Sequence, residues 1–209
     1  MNFLYLLKKT LDSNHWILIF LWVLYYTLHS ILAATNVKDY FKKTLGKYFR
    51  YYRFGYTLFA FVTLLALLLY QYSFASPLLI HSVALKYISA FVLVLPGLFI
   101  MLISIKKYFM LLSGIRSLFA PVTTPELKVG GIHKYVRHPL YSGTILFVCG
   151  LFFIFPTLSN LIAATLLVLY VLIGIIFEEE KLKKEFGNAY ATYMSQVPKL
   201  IPSFRKSEK

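Results

Sequence analysis

The sequence predicts an all-α integral membrane protein of about five transmembrane helices, with a C-terminal helical hairpin and a cytoplasmic amphipathic helix. Of its 209 residues, 59% are hydrophobic and only 14% are charged, whereas soluble chains average ~45–50% apolar and ~25% charged residues. The apolar residues are gathered in long uncharged stretches, and the basic residues lie between them. We expect one membrane domain over residues 1–209, because this length is typical of a single domain.

Four uncharged stretches predict the spans, since a bilayer core needs about 20 apolar residues in a helix. The last stretch, Leu140–Phe177, is about twice that length. Pro156 and residues 157–160 predict a turn inside it, which makes it a helical hairpin. The five predicted spans cover residues 16–34, 54–75, 86–105, 140–156 and 159–177. We expect the first to be a span rather than a signal peptide, whose apolar core is shorter.

The basic residues predict the orientation of these spans. The first loop carries six of them, the third loop six and the C-terminal tail seven, together 19 of the 22; the opposite side holds only Lys8, Lys9 and Lys86. The positive-inside rule therefore places the loops and the tail in the cytoplasm and the N-terminus outside. We expect a bacterial inner-membrane protein. The net charge of +14 follows from this topology, so nucleic acid is not an expected partner.

Acidic residues are rare, and three of the eight are consecutive: Glu178, Glu179 and Glu180. One interpretation is that this triplet ends the last span and begins a solvated amphipathic helix over Glu178–Ser195. The other is that one or two of the glutamates face a water-filled pocket, because ionisable groups at membrane depth usually serve a function.

A second polar cluster, residues 130–143, lies just before the fourth predicted span. Its sequence is Gly-Gly-Ile-His-Lys-Tyr-Val-Arg-His-Pro-Leu-Tyr-Ser-Gly. Pro139 suits the first turn of a helix, whose N-terminal N–H groups favour an anion such as a carboxylate. Arg137 can bind a carboxylate through two hydrogen bonds. The alternative interpretation is a basic juxtamembrane loop with interfacial aromatic residues.

Both polar clusters flank the same predicted hairpin on its cytoplasmic side. Because a hairpin brings its two open ends together, we expect Arg137, His138 and Tyr141 to lie near Glu178 and Glu179. This predicts a polar site at the mouth of an apolar bundle, which suits a reaction between a water-soluble cosubstrate and a membrane-resident one.

The order of these residues resembles a known superfamily of membrane enzymes. Residues 131–143 follow the pattern Gly-x-x-x-Tyr-x-Arg-His-Pro-x-Tyr-x-Gly; after the hairpin come Glu178-Glu179, Leu182, Phe186-Gly187, Tyr190, Tyr193 and Val197-Pro198. Over about residues 120–204 this is similar to the isoprenylcysteine carboxyl methyltransferase and phospholipid methyltransferase superfamily. The N-terminal half, with Leu28-His29-Ser30, is similar to the bacterial branch that includes methanethiol S-methyltransferases and NnrU-type proteins.

The resemblance implies a membrane methyltransferase that uses S-adenosylmethionine without a Rossmann domain, and the sequence has no Gly-x-Gly-x-x-Gly fingerprint. The residues implied to contact the cofactor are Glu126, Leu127, Lys128, His133, His138, Pro139, Leu140, Tyr141 and Gly143. We expect Arg137, Glu178 and Glu179 to form the catalytic group, with Arg137 also helping to hold the cofactor and Glu178 on the acceptor side. No metal site is predicted.

The acceptor is expected to be lipophilic or small, and a thiol, a carboxylate and an amine headgroup all stay open. The prenylcysteine enzymes carry an arginine for acceptor binding where this chain has Gly174, and many family members carry tyrosine where it has His133. A thiol must lose its proton to become a nucleophile. Glu178, Glu179 or His29 can take that proton, although a lone histidine in a span more often forms a structural hydrogen bond.

Two other functions are compatible with parts of this pattern. Sterol reductases carry a similar Arg-His-Pro-x-Tyr-x-Gly element and use a nicotinamide cofactor, but they are longer and have more spans. A non-catalytic membrane protein of the NnrU type would bind no cofactor and would tolerate loss of Arg137 or Glu178. The expected partners of the methyltransferase are the lipid bilayer and the acceptor.

Overall fold

The computed structural model describes residues 11–112, 127 and 129–202, with the backbone alone over 107–112. These residues are all-α; they contain no strand, and one isolated antiparallel bridge joins Leu78 to Thr157. The α-helices are α1 Ser13–Ala33, α2 Thr35–Leu45, α3 Tyr52–Tyr72, α4 Val83–Ser89, α5 Leu95–Leu112, α6 Pro139–Ile154 and α7 Leu158–Gln196. Short 3-10 helices cover Gly46–Tyr51 and Gly131–Lys134, and a π-helical turn, Ala90–Val94, joins α4 to α5.

Four helical runs in the described part of the chain are long and apolar enough to cross a membrane: Ser13–Ala33, Thr35–Tyr72, Val83–Lys106 and Leu158–Gln196. Helix α6 is apolar but has only 16 residues, about 24 Å at 1.5 Å per residue. This is less than the ~30 Å hydrocarbon core. The predicted all-α membrane fold is confirmed, and the number of five spans stays a prediction.

The hairpin of α6 and α7 differs from the prediction at its turn and at its far end. Pro156 and Thr157 lie in the turn as predicted, but α7 already begins at Leu158, so the turn is shorter than the predicted residues 156–160. The backbone N–H of Leu158 donates to Pro77 O at 3.0 Å, which fixes this start. At the other end α7 runs past Phe177 and breaks only at Gly187, where φ is +51°. The residues from Leu158 to Phe186, before this break, span about 44 Å, which is more than the ~30 Å of a hydrocarbon core.

The chain divides into two compact units. Unit 1 consists of the described residues within Met1–His81, Tyr108–Val122 and Pro156–Leu166. In it, the Trp22 indole donates to Gln71 Oε1 at 3.0 Å, and the Gln71 amide donates to Asn160 Oδ1 at 2.7 Å. Trp22 and Gln71 are buried. These bonds stabilise the packing of α1 on α3, because a buried polar group without a partner is unfavourable in an apolar environment.

Unit 2 consists of the described residues within Ser82–Lys107, Thr123–Phe155 and Leu167–Lys209. Helices α5 and α6 approach closely at glycines. A Cβ at Gly97 would lie 2.6 Å from the backbone nitrogen of Phe147, and one at Gly143 would lie 2.9 Å from Gly97 O. Small residues of this kind let the backbones of membrane helices come together. This contact sets the position of α6, which has the second polar cluster at its N-terminus.

Candidate active site

A tight loop positions the residues that precede α6. Gly131 has φ +65°, a conformation that glycine adopts readily because it has no Cβ. The loop then forms one 3-10 turn and reaches His138, which precedes Pro139 at the first position of α6. Proline there is the predicted arrangement, since its missing N–H is not needed in the first helical turn. Arg137 and His138 are thereby held at the open end of the hairpin, next to α7.

Arg137 is almost fully engaged in contacts within the protein. Its Nε and Nη2 donate to Glu179 Oε1 at 3.0 and 2.7 Å. Its Nη1 donates to the backbone carbonyls of Met194 and Val197. The side chains of Arg137 and Glu179 are 8% and 7% exposed, so this is a buried ion pair. The carboxylate that Arg137 was predicted to bind is therefore supplied by the chain itself.

His138 lies between the two glutamates. Its Nε2 is 3.2 Å from Glu179 Oε1, and its Nδ1 is 3.8 Å from Glu178 Oε2. The ring is buried and stacks on Tyr141, with the ring centroids 5.7 Å apart. The predicted proximity of Arg137, His138 and Tyr141 to Glu178 and Glu179 is thus confirmed.

A C-terminal clasp, residues 197–200, closes over the same loop. The backbone N–H groups of Arg137 and His138 donate to Pro198 O at 2.9 Å and to Lys199 O at 3.2 Å. The Lys199 ammonium lies 3.2 Å from Glu179 Oε2, and the Ser142 hydroxyl donates to Leu200 O at 2.7 Å. The two ends of the polar module are therefore tied together by backbone and side-chain bonds.

Glu179 stays ionised in this setting. Burial alone would raise the pKa of its carboxyl, but hydrogen bonds from Arg137, His138 and Lys199 outweigh burial and hold the pKa below its usual value. Both of its oxygens have partners. Glu179 is therefore a fixed anion at the centre of the network.

Two polar atoms beside this network lack a hydrogen-bond partner among the described residues: Glu178 Oε2 and the Tyr190 hydroxyl. Tyr190 is only 1% exposed, and its hydroxyl interacts electrostatically with Glu179 and Glu178. The Tyr141 hydroxyl also interacts with the Glu178 carboxylate. Buried polar atoms are nearly always hydrogen-bonded, so these two atoms mark a place where a bound molecule can supply partners.

The other predicted cofactor residues differ in their burial and in their contacts. Pro139 is buried, whereas Leu127 and Leu140 are half-buried. His133 Nδ1 lies 3.1 Å from Arg137 O, and the carbonyl of His133 accepts from the buried Tyr193 hydroxyl at 2.7 Å. Gly143 faces α5, where it has a packing contact. Glu126 and Lys128 lie outside the described residues.

His29 has a hydrogen-bond partner inside unit 1. Its Nε2 lies 3.0 Å from the Tyr56 hydroxyl, and the Tyr25 ring stacks on it with the centroids 6.0 Å apart. His29 thus makes the hydrogen bond expected of a lone histidine in a span, and its alternative role as a base for a thiol stays a prediction.

Sequence reasoning did not single out Lys199 or Ser142. Lys199 was one of many basic residues in the tail, and the serine is one hydroxyl in an apolar stretch; neither has a local pattern that distinguishes it. Tyr190 was part of the motif that suggested the superfamily, but its burial beside the glutamates is a consequence of tertiary packing.

Comparison with known proteins supports these observations. A family model described as phospholipid methyltransferase matches residues 85–189. Methanethiol S-methyltransferase of Crocosphaera subtropica is 37% identical over 86 residues, which are 40% of this chain and 32% of that protein. Methanethiol S-methyltransferase 1 of Bradyrhizobium diazoefficiens is 37% identical over 82 residues, 38% of this chain and 27% of that protein.

A third relative, methanethiol S-methyltransferase of Pseudomonas deceptionensis, is 36% identical over 78 residues, 36% of this chain and 28% of that protein. The matched segment therefore spans about a third or less of each relative's length. The search of solved structures gave no significant match. Because the family model covers half of the chain, and the covered half contains Arg137, His138 and both network glutamates, the protein belongs to the phospholipid methyltransferase family.

Proposed function

We propose that this protein is an S-adenosylmethionine-dependent methyltransferase that acts on a lipophilic or small acceptor at the cytoplasmic face of the bacterial inner membrane. The observation that carries the proposal is a pair of buried polar atoms without a hydrogen-bond partner, Glu178 Oε2 and the Tyr190 hydroxyl, beside a buried ion-pair network. Glu178 Oε2 has only an ion-pair contact, with His138 Nδ1 at 3.8 Å. Family membership gives the reaction class, since three relatives bear the name methyltransferase.

The residues present fit S-adenosylmethionine by charge. This cofactor carries a sulfonium and an ammonium, both positive, and one carboxylate. The Glu178 carboxylate beside the site gives it a negative charge that suits those cations, and the N-terminal N–H groups of α6 favour an anion. The residues that would hold the cofactor are Leu127, His133, His138, Pro139, Leu140, Tyr141 and Gly143, with Glu126 and Lys128; to these we add Tyr190.

When bound, the cofactor supplies a methyl group already activated by the sulfonium. The protein then has to orient the acceptor and exclude water, and orientation alone can contribute ~7–11 kcal/mol. Glu178 is the group we assign to the acceptor, because Oε2 is buried yet has no hydrogen-bond partner. It would take the proton of a thiol. Arg137 and Glu179 position the site, since their polar atoms are engaged with one another and with the C-terminal clasp.

A small thiol is the acceptor that the available observations favour. The relatives are named for methanethiol as acceptor. Gly174 stands where the prenylcysteine enzymes have an arginine that binds the carboxylate. The half-buried surroundings of Glu178 suit a neutral acceptor that loses a proton on reaction, because desolvation is less unfavourable for it than for a carboxylate.

The topology that we propose has five spans, the N-terminus outside and the C-terminus in the cytoplasm. Helix α6 is the short fourth span, and the basic residues of the loops support this orientation. Single cysteines introduced near Lys86 and near Lys199 of a Cys149→Ala variant would test it in intact cells. The proposed topology requires a membrane-impermeant thiol reagent to label the cysteine near Lys86 and not the cysteine near Lys199. Labelling of both from one side contradicts it.

The proposed reaction is tested directly with methyl-labelled S-adenosylmethionine and three acceptors, a small alkyl thiol, a prenylcysteine carboxylate and an amine headgroup lipid. Glu178→Gln should abolish transfer to the thiol. Glu180→Gln, in the same triplet but exposed and outside the network, is the matched control and should keep activity. Transfer to none of the three by well-folded protein would contradict the proposal.

A further inference from the structure

An apolar cavity of about 290 Å³ lies within unit 1, between α1 and α3. It is outside residues 85–189, the part of the chain that matches the family. Its wall is almost entirely hydrocarbon and includes Leu21, Leu28, Phe59 and Leu67. Ligand sites are commonly cavities of this kind, mostly apolar with a few polar groups that fix orientation.

One end of the cavity, where α1 finishes and α3 begins, carries a polar pair. His29 and Tyr56 face each other there, with the hydroxyl 3.0 Å from Nε2. The Tyr52 hydroxyl donates to Leu32 O at 2.8 Å, which fixes the register of the two helices at this end. Farther along α3 the lining is mostly hydrocarbon, with the hydroxyls of Thr63 and Tyr70. A molecule in the cavity can therefore place a polar group beside the His29–Tyr56 pair and an apolar chain along the rest.

Arg53 lies at the same end and provides a positive charge. It precedes Tyr56 by three residues, so the two share one face of α3, and its guanidinium interacts electrostatically with the Tyr56 hydroxyl. Arg53 is half-buried, yet no carboxylate in the described part of the chain lies within ion-pair distance of it. A partly buried charge is unfavourable without a counter-charge.

The surrounding segment adds to this positive charge. Lys38–Arg53 contains six basic residues and one acidic residue, Asp39. Its helix α2 is exposed along most of its length and joins two apolar helices. Basic segments next to a membrane attract anionic lipids by about 1 kcal/mol per residue.

The dimensions of the cavity match one lipid chain. Leu21 and Leu32, which both line it, are 11 residues apart on α1, about 16 Å at 1.5 Å per residue. This is about half of the ~30 Å hydrocarbon core, the depth that one acyl chain occupies in one leaflet. We propose that this cavity binds one acyl chain of an anionic glycerophospholipid, with the phosphate against Arg53 and its polar linkage beside the His29–Tyr56 pair.

The test uses the full chain in mixed micelles with two photoreactive lipids, phosphatidylglycerol and phosphatidylcholine, which carry the same diazirine-bearing acyl chain. Labelled residues are mapped by peptide mass spectrometry. We expect phosphatidylglycerol to label the cavity wall about fivefold more than phosphatidylcholine, the factor given by ~1 kcal/mol for one basic residue. Phosphatidylglycerol has no thiol, carboxylate or amine, so labelling is independent of whether the protein transfers methyl groups.

Two variants and one control distinguish the contribution of the acyl-chain cavity from that of the Arg53 charge. Ala60→Phe fills the cavity and should remove labelling of its wall by both lipids. Val62→Phe adds the same ring at an exposed position on α3 that does not line the cavity, and should leave labelling unchanged. Arg53→Gln should remove the preference for phosphatidylglycerol while keeping the level seen with phosphatidylcholine. Equal labelling by the two lipids in the unmodified protein, or unchanged labelling in Ala60→Phe, would overturn the proposal.

Discussion

Replacing Arg137 by methionine should strongly destabilise unit 2 before it affects any chemistry. The substitution keeps a side chain of similar length but removes the hydrogen bonds to Glu179 and to the carbonyls of Met194 and Val197. The Glu179 carboxylate would then stay buried with only His138 and Lys199 as partners.

The magnitude follows from burial. Both side chains of the pair are less than a tenth exposed, and removing one partner of a buried pair costs ~3–5 kcal/mol. Exposed pairs contribute only ~0–1 kcal/mol. For a chain of this size each kcal/mol shifts the melting temperature by about 2–4 °C, so Arg137→Met should lower it by roughly 6–20 °C.

Thermal unfolding of detergent-purified protein, followed by intrinsic fluorescence, measures this shift. Arg50→Met is the matched control, because Arg50 is exposed and donates to the neighbouring, exposed Tyr51 hydroxyl; it should change the melting temperature by only a few degrees. The double variant Arg137→Met/Glu179→Gln should recover part of the loss, since no buried charge is left unpaired. Equal effects of Arg137→Met and Arg50→Met would refute the assignment of Arg137 as a positioning residue.

Three further outcomes are expected. Gly97→Ala should destabilise the protein by ~1–3 kcal/mol in chemical unfolding, because its Cβ would lie 2.6 Å from the backbone of Phe147; Gly174→Ala, with nothing within 4 Å, should not destabilise it. Because the folded protein lowers the pKa of Glu179, ionised Glu179 stabilises the fold fully above the ordinary pKa of 4.5. This stabilisation is lost as the pH falls through the lower pKa of the folded state. Melting temperatures should therefore decline below about pH 4.5, and decline less in Glu179→Gln. Tyr190→Phe should leave the melting temperature of the ligand-free protein unchanged, since the hydroxyl has no partner among the described residues, and should weaken cofactor binding; an unchanged affinity would contradict its proposed role.

The membrane fold could be predicted because the length of an apolar stretch and the charges that flank it are local properties of a single helix. Helices α1, α3 and α6 lie within three residues of the predicted spans at each end. The π-helical turn at Ala90–Val94 was not predictable, since no proline or glycine stands inside it. It lies where Val94 contacts the Gly150 backbone region, and such packing is a tertiary effect.

The candidate site was predictable as a location but not as a set of contacts. Hairpin geometry alone brings Arg137 towards Glu179, because Arg137 lies just before the uncharged stretch that forms the hairpin and Glu179 lies just after it. That Arg137 binds Glu179 and the carbonyls of residues 194 and 197 depends on the C-terminal clasp. The path of that segment back to α6 has no signature in local sequence, so the sequence suggested a cofactor-binding arginine where the structure has a buried internal ion pair.

The central claim is that this chain binds S-adenosylmethionine in the polar site beside Tyr190. Isothermal titration of S-adenosylhomocysteine into the purified full chain tests it most directly, with Tyr190→Phe beside it and Tyr40→Phe, at an exposed tyrosine outside the site, as the matched control. The account predicts binding to the unmodified protein and to Tyr40→Phe, and markedly weaker binding to Tyr190→Phe at an unchanged melting temperature. No binding to well-folded protein, or equal binding to all three, would contradict it.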